Sequence, residues 1–151
     1  MTTSRNRVAV LHGVNFDVLD RRDAEIYGGL SLSELEHQIS DWAHELHLEP
    51  IFFQTNSEGE FCEYLHRSVD LADAVIVNAG AWTHYSRAIA DALELTRLPA
   101  VEVHLSDVEA RDDWRTISVF DGLVAAKIFG KGPDGYREAL GLLSRELGVS
   151  S

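Results

Sequence analysis

Short apolar segments alternate with amphipathic segments along most of this chain, and this alternation limits the possible folds more than any other feature. The apolar segments have the length of buried strands, and the amphipathic segments carry apolar residues at the spacing of one helix face. Such a repeat predicts a parallel sheet with helices on both faces. Strands are predicted at 7–12, 49–54, 73–78, 99–104 and 123–130, and helices at 30–47, 58–70, 83–96 and 133–148.

The simplest α/β arrangement of these elements is a doubly wound, five-stranded parallel sheet of the flavodoxin-like type, because crossovers between parallel strands are right-handed. The chain has 151 residues, which is enough for one domain with a sizeable core and short for two. We therefore expect residues 1–151 to form a single domain.

Two long connections, 13–29 and 105–122, interrupt the repeat. Connections of this length in a compact domain are usually functional or disordered. The first contains Arg22, Tyr27 and a Gly28-Gly29 pair that could act as a hinge. We predict a lid over a binding site at about 16–29, with disorder as the alternative.

Polar residues collect where two of the predicted strands end. They are Asn78, Thr83, His84, Ser86 and Asp91 after the third strand, and Glu102, His104 and Ser106 at the end of the fourth. In open α/β sheets, ligands bind at the carboxyl ends of the strands. The two junctions therefore predict two walls of one site.

Composition narrows the classes of partner. A formal net charge of −12 with only 13 Lys and Arg residues argues against nucleic-acid binding, which requires many cations against phosphates. No apolar run approaches the roughly 20 residues of a membrane span, and the amino terminus lacks a signal-peptide core, so we expect a cytoplasmic protein. Cys62 is the only cysteine, which excludes an intrachain disulfide; we interpret it as a packing residue.

Four arginines lie near predicted loops: Arg21, Arg22, Arg111 and Arg115. The planar guanidinium suits a carboxylate or a phosphate. Solvated surface charge is the alternative interpretation.

Familiar motifs give weak signals. GKGPDG at 130–135 matches G-x-G-x-x-G, but a dinucleotide fingerprint belongs at the first strand, and we interpret these glycines as a tight turn.

His12, His84 and His104 could ligate zinc, yet the Asn, Ser and Arg residues near them favour an organic anion. We therefore expect no metal and, without a phosphate loop after the first strand, no flavin or nicotinamide cofactor. The absence of a G-x-S-x-G elbow argues against a serine hydrolase.

The polar groups at this edge and in the long connections suit an elimination of water. A guanidinium such as Arg22 beside Tyr27 favours the phenolate, which can take a proton next to a carbonyl. A histidine such as His104 can protonate a departing hydroxyl. The alternatives are a non-catalytic small-anion-binding domain and a metal-dependent hydrolase. The full set is His12, Asn15, Arg22, Tyr27, Asn78, His84, Glu102, His104, Ser106, Arg111 and Arg115.

Several blocks of the chain, in order, resemble the type II 3-dehydroquinate dehydratases of the shikimate pathway. They are HGVNFDVLDRRDAEIYGG, FFQTNSEGE, NAGAWTHYSRAIADAL, EVHLSDVEAR and GKGPDGYREAL. The resemblance implies a flavodoxin-like fold and a cofactor-independent hydro-lyase of aromatic amino acid biosynthesis. Such an enzyme converts 3-dehydroquinate to 3-dehydroshikimate through an enolate.

The resemblance also implies roles for matching positions. Tyr27 looks like the base that removes a proton from C2, and Arg22 looks like the lid cation that favours its ionised form. Asn15 looks like the residue that holds the water stabilising the enolate. His104 looks like the general acid for the C1 hydroxyl, oriented by Glu102.

The implied substrate ligands are Asn78, His84 and Arg115 for the ring hydroxyls, Leu105 and Ser106 for the carboxylate, and Asp91 from a neighbouring subunit. The family forms trimers packed into dodecamers, so we expect a homo-oligomer.

The chain departs from the common family pattern at His12, Val14, Asp20, Ala90, Thr116 and Ile117. None of these is a matched substrate-contacting position. A paralogous dehydratase acting on a related ring hydroxy acid is the remaining enzymatic alternative.

Overall fold

The computed structural model describes residues 5–27, 29–108 and 113–149, and its centre is a sheet of five strands. All adjacent strands pair in parallel, in the order β2-β1-β3-β4-β5. This order confirms the flavodoxin-like prediction. The strands are β1 Arg7–His12, β2 Glu49–Gln54, β3 Ala74–Asn78, β4 Ala100–Val103 and β5 Ala126–Ile128.

Helices connect the strands and cover both faces of the sheet. They are α1 Ala24–Tyr27, α2 Leu32–Glu45, α3 Glu58–Leu71, α4 Arg87–Thr96 and α5 Asp134–Leu147, with 3-10 turns at Phe16–Arg21, Gly80–His84 and Asp113–Thr116. The predicted helices are confirmed with shifted ends. None of the helices in the described ranges combines the length and the apolar composition that crossing a bilayer requires.

The sheet divides the core into two layers because successive strand residues point to opposite faces. Val8 and Val10 of β1 pack with α2 and α5, whereas Ala9 and Leu11 pack with α3 and α4. Cys62 of α3 is partly buried against this second layer, as expected of a packing residue.

The first long connection is more regular than the sequence predicted. Its Phe16–Arg21 turn and α1 are helical, and Phe16 and Leu19 are buried in the same layer as α2. The sequence analysis assigned no helix to this connection, because two short helical turns give no periodic signal. Gly28 lies outside the described residues, so the hinge and the lid stay predictions.

Candidate active site

A cavity of about 230 Å³ opens at the carboxyl ends of β1, β3 and β4. This volume is below the range of about 300–1,000 Å³ for drug-sized ligands and suits a small metabolite. Its lining comes from the first connection, from the segments after β3 and β4, and from the 3-10 turn at Asp113–Thr116. The lining residues are Val14, Asn15, Phe16, Val18, Leu19, Arg22, Tyr27, Asn78, Gly80, Ala81, His84, His104, Leu105, Ser106, Val108 and Arg115.

The structure brings most of the predicted site residues to this cavity, but Glu102, Asp91 and His12 do not line it. Glu102 lies behind His104 and is fully buried, and Asp91 is exposed on α4 away from the lining. Arg111 lies outside the described residues. Two arginines and two histidines line the cavity, and none of the described lining residues is acidic. The two guanidinium groups therefore favour an anionic ligand in this cavity, although the protein as a whole is acidic.

Arg22 and Tyr27 meet inside the cavity, as predicted. A guanidinium N–H of Arg22 donates to the Tyr27 phenol oxygen, and the guanidinium carbon lies 4.1 Å from the centre of the Tyr27 ring. The helical turns between β1 and α2 make this contact possible, because they fold the two side chains toward the same space. The pair places a cation against an ionisable oxygen at the cavity wall.

Asn15 occupies a left-handed backbone conformation, with φ 73°, which is uncommon for residues other than glycine. Its N–H donates to Asn56 Oδ1 at 2.8 Å, and Asn56 donates in turn to Asp17 at 3.1 Å. Gly13 permits this loop because a Cβ there would lie 2.3 Å from the Ala79 backbone. The side chain of Asn56, which the sequence analysis did not single out, thus holds the Asn15 loop.

Asn78 is held from two sides. Its Nδ2 lies 3.4 Å from the Tyr136 hydroxyl, and its Oδ1 accepts from the Gly80 N–H at 3.2 Å. Burial raises the pKa of Tyr136, so this phenol stays protonated. It supports Asn78 from α5 and does not act as a base.

His84 faces the cavity as a neutral imidazole. Its Nδ1–H donates to the Ile117 carbonyl at 2.7 Å, so in the neutral ring Nε2 is an acceptor. Burial lowers the pKa of His84, and the neighbouring charges of His104 and Arg115 lower it further, against the effect of the Ile117 carbonyl. Nε2 is therefore suited to accept a hydrogen bond from a ligand hydroxyl at neutral pH.

His104 forms a buried pair with Glu102, as the spacing of two residues on one strand face allows. Nε2 of His104 lies 2.5 Å from Glu102 Oε2, which leaves Nδ1 for a ligand. Ser118 contacts both carboxylate oxygens of Glu102, at 2.8 Å and 2.9 Å. The sequence analysis missed Ser118 because it follows β4 by a long connection.

The GKGPDG segment is a tight turn, as interpreted. Gly130 and Gly132 have φ of 74° and 58°, and their N–H groups donate to the carbonyls of Ser106 and Leu105 at 3.0 Å and 3.2 Å. The turn therefore fixes the backbone of the residues assigned to carboxylate binding.

His12 does not belong to the cavity, and its inclusion in the polar set was wrong. It shares a strand face with Val8 and Val10, so its ring points toward α2 and stacks on Phe52 at 6.0 Å. Its Nε2 lies 3.1 Å from Glu36 of α2. Among the described residues, no cluster of three or more His, Cys, Asp or Glu side chains could hold a metal ion.

Comparisons with known proteins point to one family. Residues 6–144 match the model of the family described as "Dehydroquinase class II". The chain is 47% identical over 139 residues to a 3-dehydroquinate dehydratase of Syntrophotalea carbinolica, covering 91% of this chain and 93% of that one. It is 43% identical over 135 residues to the enzyme of the same name from Halothermothrix orenii, covering 89% and 91%.

A solved structure agrees with these sequence matches. The type II dehydroquinase of Butyrivibrio crossotus superposes with a TM-score of 0.89 at 32% identity, covering 93% of this chain and 99% of that one. The likeness therefore extends over the whole sheet and its helices.

Proposed function

The chain belongs to the class II dehydroquinase family, and we propose that it is a hydro-lyase that converts 3-dehydroquinate to 3-dehydroshikimate, with Tyr27 as base and His104 as general acid. The mechanism rests on one observation: the proposed base and the proposed acid line the same cavity, and each contacts a charged side chain. Arg22 contacts the Tyr27 oxygen, and Glu102 contacts His104.

The elimination begins at the carbon next to the substrate ketone. The Tyr27 phenolate takes a proton from C2, and the C–H electrons pass into an enolate. A guanidinium N–H of Arg22 donates to that oxygen. Asn15 is held in its left-handed conformation by Asn56. We assign to it the water that stabilises the enolate oxygen, as preorganised donors do at developing charge.

The second step releases water. The enolate electrons return to form the C1–C2 double bond, the C1–O bond breaks, and His104 gives its proton to the departing hydroxyl. Tyr27 then carries one proton more and His104 one fewer than at the start. Transfer of a proton from Tyr27 to His104 through solvent restores both groups, so the reaction consumes no reductant or oxidant.

The remaining cavity residues bind the substrate. Asn78, His84 and Arg115 line the side that we assign to the ring hydroxyls, and neutral His84 offers them an acceptor. Leu105 and Ser106, fixed by the turn at Gly130 and Gly132, are assigned to the carboxylate. The segment at about 16–29 is proposed to close over the substrate as a lid, since it supplies both Arg22 and Tyr27.

A direct assay tests the proposed activity. We expect purified protein incubated with 3-dehydroquinate in the presence of a chelator to generate the ultraviolet absorbance of a conjugated enone acid. A protein that binds the substrate without producing absorbance would be the non-catalytic anion-binding domain. Activity on a related ring hydroxy acid in preference to 3-dehydroquinate would identify a paralogous dehydratase, and activity restored only by zinc would identify a metal enzyme.

We further propose a homo-oligomer, with trimers assembled into a dodecamer, in which Asp91 completes the site of a neighbouring subunit. Asp91 is exposed on α4 and does not line the cavity of its own chain. The cytoplasmic location expected from the sequence also stays a prediction.

Mixed oligomers test the shared site. We expect Asp91→Asn and Tyr27→Phe to be nearly inactive alone, and their coexpressed mixture to regain activity. In a random mixture, about a quarter of the sites combine an intact Tyr27 with a neighbour's intact Asp91, if the interface repeats by symmetry. Glu94→Gln, which changes another exposed acidic side chain of α4, is the control and should keep full activity. A mixture as inactive as its components, or a fully active monomer by light scattering, would contradict the shared site.

A further inference from the structure

Ser118 lies directly behind the acid–carboxylate pair, on a segment far along the chain from Glu102. Its Oγ is 2.8 Å and 2.9 Å from the two Glu102 oxygens, and the residue is buried. The Phe120 N–H donates to the same Oγ at 3.1 Å. The Ser118 oxygen therefore accepts one hydrogen bond from the backbone, and its hydroxyl proton donates to the Glu102 carboxylate.

The segment that carries Ser118 is itself fixed. The Val119 N–H donates to the Thr83 carbonyl at 2.8 Å, the Ile117 carbonyl accepts from His84, and the Phe120 side chain is fully buried in the core. The two residues that flank Ser118 thus each form a hydrogen bond, through a backbone group, to the segment after β3. Its hydroxyl has a defined place relative to the Glu102 carboxylate.

We propose that Ser118 is a positioning residue that fixes the plane of the Glu102 carboxylate, so that Oε2 meets Nε2 of His104 and Nδ1 faces the substrate. This inference rests on the proposed role of His104 as general acid. Glu102 has no exposed surface, so bulk solvent does not set its orientation. Rotation of the carboxylate about its last bond would carry Oε2 away from the imidazole, and Ser118, in contact with both oxygens, opposes that rotation.

Removal of the Ser118 hydroxyl should act on turnover more than on binding. We expect Ser118→Ala to lower kcat roughly tenfold to a hundredfold, the range for losing a hydrogen bond to a charged group, with KM within about twofold of wild type. Ser118→Cys keeps the side-chain shape but is a weak donor, and it should behave like alanine. Ser118→Thr keeps a hydroxyl and should recover most of the wild-type kcat.

Two comparisons separate positioning from general structural support. Ser68→Ala removes another buried serine hydroxyl, one that donates to the Tyr64 carbonyl within α3 at 2.8 Å, and should leave kcat unchanged. In a Glu102→Gln background, Ser118→Ala should cost less than about threefold, because coupled residues are not additive.

Ser118 variants with wild-type kcat, or an equal loss in the Glu102→Gln background, would overturn the inference while the dehydratase activity stands. A wild-type chain that does not dehydrate 3-dehydroquinate would overturn this inference together with the proposed function.

Discussion

Tyr27→Phe should remove most turnover, with kcat lower by roughly 10²- to 10⁴-fold, the usual contribution of a general acid–base group. The substitution deletes the oxygen that we assign to proton removal and keeps the ring. That ring packs at the edge of the core layer formed by α2 and α5, so the fold should persist. The measurement is kcat from enone absorbance, with circular dichroism as the check on folding.

Two other tyrosines provide controls for the loss of a phenol oxygen. Tyr85 is 61% exposed and outside the cavity, so Tyr85→Phe should leave kcat and KM unchanged. Tyr136→Phe removes a buried hydroxyl that supports Asn78 and should weaken substrate binding more than turnover. A Tyr27→Phe enzyme within about threefold of wild type would show that another group takes the proton.

The order of strands and helices could be predicted because each element carries its own period. The two core layers follow from alternation in strands such as β1, where Val8 and Val10 face α2 while Ala9 and Leu11 face α3. The element ends were less accessible. The helix predicted from residue 83 begins at Arg87, because Ser86 Oγ accepts the Ile89 N–H at 3.2 Å and caps it there.

The last strand shows why apolar content alone misplaces boundaries. The run at 123–130 predicts a strand of that length, but pairing with β4 covers only Ala126–Ile128. Leu123 and Val124 instead turn back and pack against the core layer of α3 and α4. A short apolar run cannot distinguish a paired edge strand from a buried turn.

The cavity residues could be predicted where they follow a strand, and not where they arrive from elsewhere. Asn78 and His104 stand at strand ends, which the parallel topology brings to one edge. Asn56 contacts Asn15 across 41 positions of the sequence, and Ser118 contacts Glu102 across 16. No local sequence pattern predicts either contact. The prediction for His12 was wrong although this residue does end a strand. Successive strand residues point to opposite faces of the sheet, so a strand-end side chain can point away from the cavity as readily as toward it.

Substitutions of the two cavity histidines should differ in their effects on kcat and KM, and this difference tests the assignment of the acid. His84 binds the Ile117 carbonyl through Nδ1, and burial lowers its pKa, so at neutral pH it has no proton on Nε2 to give. His104 has Glu102 on Nε2, which leaves Nδ1 to face the leaving hydroxyl. His84→Ala should therefore raise KM with a smaller effect on kcat.

His104→Ala should lower kcat by roughly 10²- to 10⁴-fold and change ground-state binding far less, because protonation of the leaving hydroxyl belongs to the transition state. Measured dissociation constants of an unreactive substrate analogue should stay close to wild type, while single-turnover rates fall with kcat. His37→Ala, with a side chain that is 81% exposed on α2, is the matched histidine control and should be neutral in both measurements. If His104→Ala raised KM and kept kcat, His104 would be a binding residue. The acid would then have to be found elsewhere, with His84 as the first alternative.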